Sequence, residues 1–179
     1  MQGYYKDEEQ TKEVFTDDGW LKTGDIGEFT GANKDFLKIT DRKKEMFKTS
    51  GGKYVAPQPI ENLIKSSLFV EQAMIVGEGK KHPAVLIFPA FENVKYWCEK
   101  HDVPFSSEKE VIKDQKVINR IWREVEEKTA ELGQWEKPKK MELCHEPWTI
   151  EGGELTPTLK LKRRNIHEKF GHLIEKMYE

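Results

Sequence analysis

The chain has 179 residues, of which 35% are charged, 36% hydrophobic and 11% aromatic, with a formal net charge of -2. That length holds one ordinary core, or one domain and a piece of another, and the aromatic share excludes a disordered tail. The near-neutral balance exerts no general pull toward nucleic acid or anionic membrane, no apolar run approaches the roughly 20 residues of a transmembrane segment, and no charged-then-apolar signal segment opens the chain, so it reads as cytoplasmic.

Taken in order, residues 3–18 are polar around the anchors Tyr5, Val14 and Phe15, with a helix expected over 7–15. Asp18-Gly19 is a turn signal, after which Trp20 to Gly27 runs toward a strand. Residues 26–30 and 36–40 read as two strands joined by the turn-prone Gly31-Ala32-Asn33-Lys34-Asp35, a β-hairpin leading into the charged stretch Asp41 to Lys53. The first forty residues are too few to bury a core of their own, which marks them as the edge of something larger.

Beyond this joint the pattern is self-sufficient. Pro57 and Pro59 sit where a helix starts, and Ile60, Leu63, Ile64 and Leu68 follow at helical spacing. The apolar runs 73–76 and 84–88 read as adjacent buried strands. Helices are expected over 91–101 and 116–132, with Ser107 and Glu110 at capping-box spacing between them. Residues 141–144 are a candidate strand, Glu151-Gly152-Gly153-Glu154 a turn, and Asn165 with Glu168 opens a last helix with Ile166, Phe170, Leu173, Ile174 and Met177 inside. The fold class is α+β, with a roughly three-stranded sheet flanked by helices.

Several residues could carry chemistry. Asp25, beside Gly24, suits a carboxylate that accepts hydrogen bonds from a ribose diol, or simply a turn aspartate bonding its own backbone. Arg42 is a bidentate donor, whereas Lys43, Lys44 and Lys48 are point charges. Gly51-Gly52 between Lys48 and Lys53 makes a loop whose backbone could lie against an extended substrate or an anion, without the spacing of a phosphate loop. The run Lys160 to Arg164 is basic but short and free of aromatics, a poor nucleic-acid patch. Its alternation Leu159-Lys160-Leu161-Lys162 suggests an extended segment with lysines on one face. One such ammonium in a partly closed site contributes about 4 kcal/mol against a phosphate charge at ~4 Å and an effective dielectric near 20, roughly a thousandfold in rate. Cys98 and Cys144 belong to no Cys-x-x-Cys pair and read as reduced structural thiols, with no metal site.

From Gly3 to Arg164 the sequence resembles the C-terminal end of AMP-forming acyl-CoA synthetases, long-chain fatty acid CoA ligases in particular. The resemblance is carried by Gly3-Tyr4-Tyr5, by Asp18-Gly19-Trp20-Leu21-Lys22-Thr23-Gly24-Asp25-Ile26-Gly27, by Asp41-Arg42-Lys43-Lys44-Glu45 through Lys48, by Gly51 through Glu61, and by Leu155-Thr156-Pro157-Thr158-Leu159-Lys160. It implies an enzyme that joins a fatty acid to coenzyme A through an acyl-adenylate, using ATP, CoA and Mg2+. It further implies that Asp25 and Arg42 hold the ribose hydroxyls, that Lys44 is the hinge, and that Lys160 contacts the acyl carboxylate and α-phosphate as the catalytic lysine. The loop containing Lys48, Ser50, Gly51 and Gly52 would face the active site in a second pose. Many relatives carry Ser-Gly-Lys at the last motif, where this chain has Thr158-Leu159-Lys160.

The implied organisation is residues 1–41 as the trailing edge of a large N-terminal adenylation domain and 42–179 as a mobile C-terminal domain, with the hinge near 42–44. The expected partners are that large domain, fatty acid, ATP or AMP, and CoA, with no nucleic acid and no transmembrane segment. No cofactor is expected to bind the 179 residues tightly. Peripheral membrane contact of the full-length enzyme is left open. Met1 need not be a true start, and the isolated chain is expected to be inactive. The alternatives are a stand-alone binding module without catalysis, and an adenylating domain for another carboxylic acid.

Overall fold

The structure, a computed structural model, describes residues 1–43 and 45–179, and of Thr40, Asp41 and Arg42 the backbone alone. The hinge residue expected at Lys44 therefore lies outside the described residues. The chain divides into two compact units, Met1–Met46 and Phe47–Glu179.

In the first unit, helix α1 (Glu8–Val14) begins where the Asp7 carboxylate accepts a hydrogen bond from the Gln10 N–H, with Glu8 and Glu9 favourably placed in the first turn. Gly19, at φ +86°, closes the turn that returns the chain so that Phe15 bridges Leu21. Strands β1 (Asp25–Thr30) and β2 (Phe36–Arg42) form the expected antiparallel hairpin. The second strand runs on to Arg42 because the ladder continues past a bulge between Ile26 and Gly27. Among the described residues of this unit none is buried, and Phe36 remains 69% exposed.

The second unit holds the core. The ribbon of β3 (Phe47–Lys48) and β4 (Tyr54–Val55) leads into α2 (Pro57–Lys65), which starts with Pro in its first turn as the sequence predicts. Then come β5 (Val70–Val76), β6 (Ala84–Pro89), α3 (Phe91–Lys100), the short α4 (Glu108–Val111), α5 (Gln115–Lys128), β7 (Met141–Leu143) and α6 (Arg163–Lys176). The sheet order is β5-β6-β7, with β5 antiparallel and β7 parallel to β6. Every residue of β6 is buried, which requires cover on both faces. Ile60 and Ile64 of α2, Ile121 and Val125 of α5 and Ile166, Phe170 and Ile174 of α6 belong to the same apolar cluster as β5 and β6.

Two helix boundaries differ from expectation for local reasons. Helix α5 stops at Lys128, short of 132, where the buried Thr129 hydroxyl donates back to the Val125 carbonyl at 2.7 Å. Helix α6 starts at Arg163, two residues before Asn165. The Asn165 side chain does not cap it but donates to the Gly153 carbonyl, and Glu168 pairs with Arg164. At α4 the Ser107 hydroxyl accepts from the Glu110 N–H as the capping box requires, while the Glu110 carboxylate pairs with Lys113.

Truncating Leu86, wholly buried at the centre of the sheet, to alanine is expected to lower unfolding stability by about 2–5 kcal/mol. Phe36→Ala in the exposed hairpin should change it by less than about 0.5 kcal/mol. Urea unfolding of the 179-residue chain, followed by far-ultraviolet circular dichroism, measures both.

Candidate functional site

Four stretches carry the predicted site residues, and each has a definite local build. At the start of β1, Gly24 adopts φ +77°, and its carbonyl accepts from the Lys43 N–H at 2.7 Å. The Thr23 hydroxyl accepts from the Asp25 N–H at 3.1 Å. The antiparallel register sets Asp25 opposite Arg42, so two positions far apart in sequence become partners at one end of a ladder. The Arg42 side chain lies outside the described residues.

The glycine loop is a tight, pinned structure. The Lys53 carbonyl accepts from both the N–H and the hydroxyl of buried Thr49, at 2.9 and 3.3 Å, and the Gly52 N–H donates to the Thr49 carbonyl at 2.9 Å. Gly52 sits at φ +80°, where a side chain would be strained. The loop is also tied to the turn after β5: the Ser50 N–H donates to the Lys80 carbonyl and the Gly79 N–H to the Lys48 carbonyl, both at 2.9 Å. Lys48, Ser50, Gly51 and Gly52 stay exposed, and the Lys48 ammonium lies 5.6 Å from the centre of the Tyr54 ring. A small polar rim with exposed backbone results, suited to an extended ligand.

Lys160 does not lie on an extended segment. Leu155 and Leu161 form an antiparallel bridge, the Leu159 N–H donates to the Thr156 carbonyl, the Thr156 N–H to the Lys160 carbonyl, and the Lys160 N–H to the Thr156 hydroxyl. The turn closes because Leu159 takes a left-handed φ of +58° while 62% exposed, a conformation unfavourable for a residue with a Cβ. That breaks the predicted alternation of lysines on one face. The side chain of Lys160 is exposed, with no hydrogen bond or ion pair among the described residues.

Two buried carboxylates with cationic partners escaped the sequence reading. The Glu61 carboxylate, in a residue only 4% exposed, takes both guanidinium nitrogens of Arg163 at 2.7 Å and the Ile75 N–H at 2.7 Å. Arg163 is thus no member of a basic surface run. Glu154, 1% exposed, accepts from the Thr149 N–H at 3.0 Å and the Lys169 ammonium at 2.8 Å, and Lys169 also meets Glu146 at 3.1 Å. Burial alone would raise the carboxyl of Glu154, but the ammonium of Lys169 and the Thr149 amide outweigh it and hold it below the usual range. The bond to Glu154 chiefly holds Lys169 above its own usual range. The signal for Glu61 was a carboxylate on the buried stripe of α2, between Ile60 and Ile64.

Neither cysteine has the character of a nucleophile. Burial pushes the Cys144 thiol up to about 12, and its Sγ donates to the Ile87 carbonyl. Among the described residues no cluster of three or more His, Cys, Asp or Glu side chains could hold a metal ion, and no helix is long and apolar enough to cross a membrane. Among the described residues, no hydrogen bond or ion pair joins the glycine loop to the Lys160 turn.

A family model described as the AMP-binding enzyme C-terminal domain matches residues 45–179. A peroxisomal long chain acyl-CoA synthetase of Arabidopsis thaliana is 39% identical over 181 residues, which cover 99% of this chain and 26% of that protein. A long-chain-fatty-acid–CoA ligase of Mus musculus is 39% identical over 182 residues, covering 100% of this chain and 26% of its own length. Among solved structures, the adenylation domain of a carboxylate reductase from Mycobacterium chelonae aligns with a TM-score of 0.79 at 28% identity, over 98% of this chain and 26% of that one. The chain spans about a quarter of the length of the curated relatives it matches.

The ion pair of Glu154 and Lys169 makes stability pH-dependent on two sides. A lowered Glu154 contributes stability above the usual carboxylate range that is lost as pH falls through its folded value. A raised Lys169 contributes stability below the usual lysine range that is lost as pH rises through its folded value. The difference in Tm between the native chain and Glu154→Gln is therefore expected to shrink in acid, and a difference constant from neutral pH into strong acid would contradict the assignment.

Proposed function

Because the chain belongs to the AMP-binding enzyme C-terminal domain family, we propose that it is the C-terminal part of a long-chain fatty acid CoA ligase, working with a large N-terminal domain that precedes it. In the first half-reaction a carboxylate oxygen of the fatty acid attacks the α-phosphorus of ATP, and pyrophosphate leaves. In the second, the thiol sulfur of CoA attacks the acyl carbonyl carbon, and AMP leaves with the bonding electron pair.

Lys160 is the residue we assign to the first step. An ammonium beside the α-phosphate and the incoming carboxylate offsets charge that builds as the two anions approach. The observation that carries this reading is the exposed Lys160 at the closing end of a hydrogen-bonded turn that runs into α6, since charge stabilisation works only from a fixed position. Asp25 and Arg42 would take the ribose hydroxyls, a role supported by their opposed places in the β1–β2 ladder. Lys44 would be the hinge, with residues 1–41 the trailing edge of the large domain and 42–179 the mobile one. The division of the chain between Met46 and Phe47 supports a joint in this neighbourhood. In the second pose the rim of Lys48, Ser50, Gly51 and Gly52 would replace Lys160 beside the acyl-adenylate.

Magnesium would accompany the nucleotide in the whole enzyme. The described residues of this chain do not form a set that holds it, so none of its side chains is assigned to the metal.

In the full-length enzyme, Lys160→Ala is expected to slow acyl-adenylate formation about a thousandfold while leaving thioester formation from supplied acyl-adenylate intact. Pyrophosphate exchange and single-turnover thioester formation measure the two steps, and equal loss in both removes Lys160 from the role. The 179-residue chain incubated with ATP, CoA and palmitate should give no thioester, so sustained turnover would overturn its proposed dependence on a larger domain.

A further inference from the structure

We propose that Arg163, through its bidentate pair with Glu61, is a positioning residue for Lys160. The inference rests on the reading of Lys160 given above and extends it to residues that touch no substrate.

The turn that carries Lys160 is short and makes its closing hydrogen bonds within itself, among Thr156, Leu159 and Lys160. Where it points is decided by its two ends. On the entering side, Glu154 is fixed by Lys169 of α6 and by the Thr149 N–H, and its carbonyl accepts from the Lys162 N–H at 2.8 Å. On the leaving side the chain passes from Lys160 through Leu161 and Lys162 into Arg163, the first residue of α6. There both guanidinium nitrogens lock onto both oxygens of Glu61 at 2.7 Å. Glu61 in turn accepts the Ile75 N–H of the central sheet at 2.7 Å. Only Leu161 and Lys162 separate Lys160 from a guanidinium whose planar fork is geometrically demanding. A lysine in the place of Arg163 would keep the charge and lose that geometry.

Glu61 follows the glycine loop directly, through β4 and the first turn of α2. One ion pair therefore relates the two stretches assigned to opposite half-reactions. Arg163 follows Lys160 by only three positions, however, whereas the loop has its own anchors in Thr49, Lys53 and the turn at Gly79 and Lys80. Loosening the pair should reach Lys160 first and leave the loop in place.

In the full-length enzyme Arg163→Met is expected to slow acyl-adenylate formation about a hundredfold, the loss that accompanies a displacement of roughly 1 Å at a reacting group. Thioester formation from supplied acyl-adenylate should be unchanged. Arg163→Lys should recover part of the adenylation rate, and Glu61→Gln, which keeps an acceptor for the Ile75 N–H, should reproduce the selective loss. Should Arg163→Met not fold, Arg163→Lys and Glu61→Gln carry the test by the same two assays. Equal losses in both half-reactions, or no loss, overturn the positioning role. Lys160→Ala measured in parallel separates the two ideas: if it is not selective for adenylation the reading of Lys160 fails, and if it is selective while Arg163 and Glu61 variants are not, only the present inference fails.

Discussion

A carboxylate withdrawn from water has to be compensated by partners for both oxygens, and Glu61 meets that demand with the Arg163 fork and the Ile75 amide. Removing either charged partner alone leaves an uncompensated charge, at a typical cost of about 3–5 kcal/mol. The pair draws together α2, the central sheet and the start of α6, three positions beyond Lys160. A buried ion pair is a poor source of net stability, because desolvation consumes most of the attraction. Its strength lies in direction, since a bidentate guanidinium and carboxylate meet in one plane.

The two compact units differ in how they meet water. Behind Phe47, the core closes over β6, both of whose faces are covered. Ahead of it, the β1–β2 hairpin leaves Phe29, Phe36, Leu37 and Ile39 exposed, and none of its described residues is buried. A two-stranded ribbon is marginal by itself in water. The chain itself spans about a quarter of the length of the curated relatives it matches.

Left-handed backbone occurs at several points of the chain, three of them beside predicted site residues. Gly24 and Gly52 take positive φ beside Asp25 and in the glycine loop, and Leu159 takes it beside Lys160. The first two use the one residue type that reaches this region without steric penalty. The leucine does so against its preference, held by the Thr156 hydrogen bonds and by anchors at both ends of the turn.

Much of this was legible from residues in order. Strand-like stretches around turn residues placed the β1–β2 hairpin, helical spacing placed α2, α3 and α5, and the ordered motifs pointed to the adenylate-forming family, because such signals depend on neighbours within a few positions. Asp25, Arg42 and Lys160 could be named as chemical groups on the same basis. The tertiary structure alone decided that Asp25 faces Arg42 across a ladder, that Lys160 stands on a left-handed turn rather than an extended strand, and that Arg163 belongs to Glu61 rather than to a basic surface. Those facts rest on contacts between residues distant in the chain, 102 positions apart for Arg163 and Glu61, and no local propensity encodes which buried carboxylate a given arginine will meet.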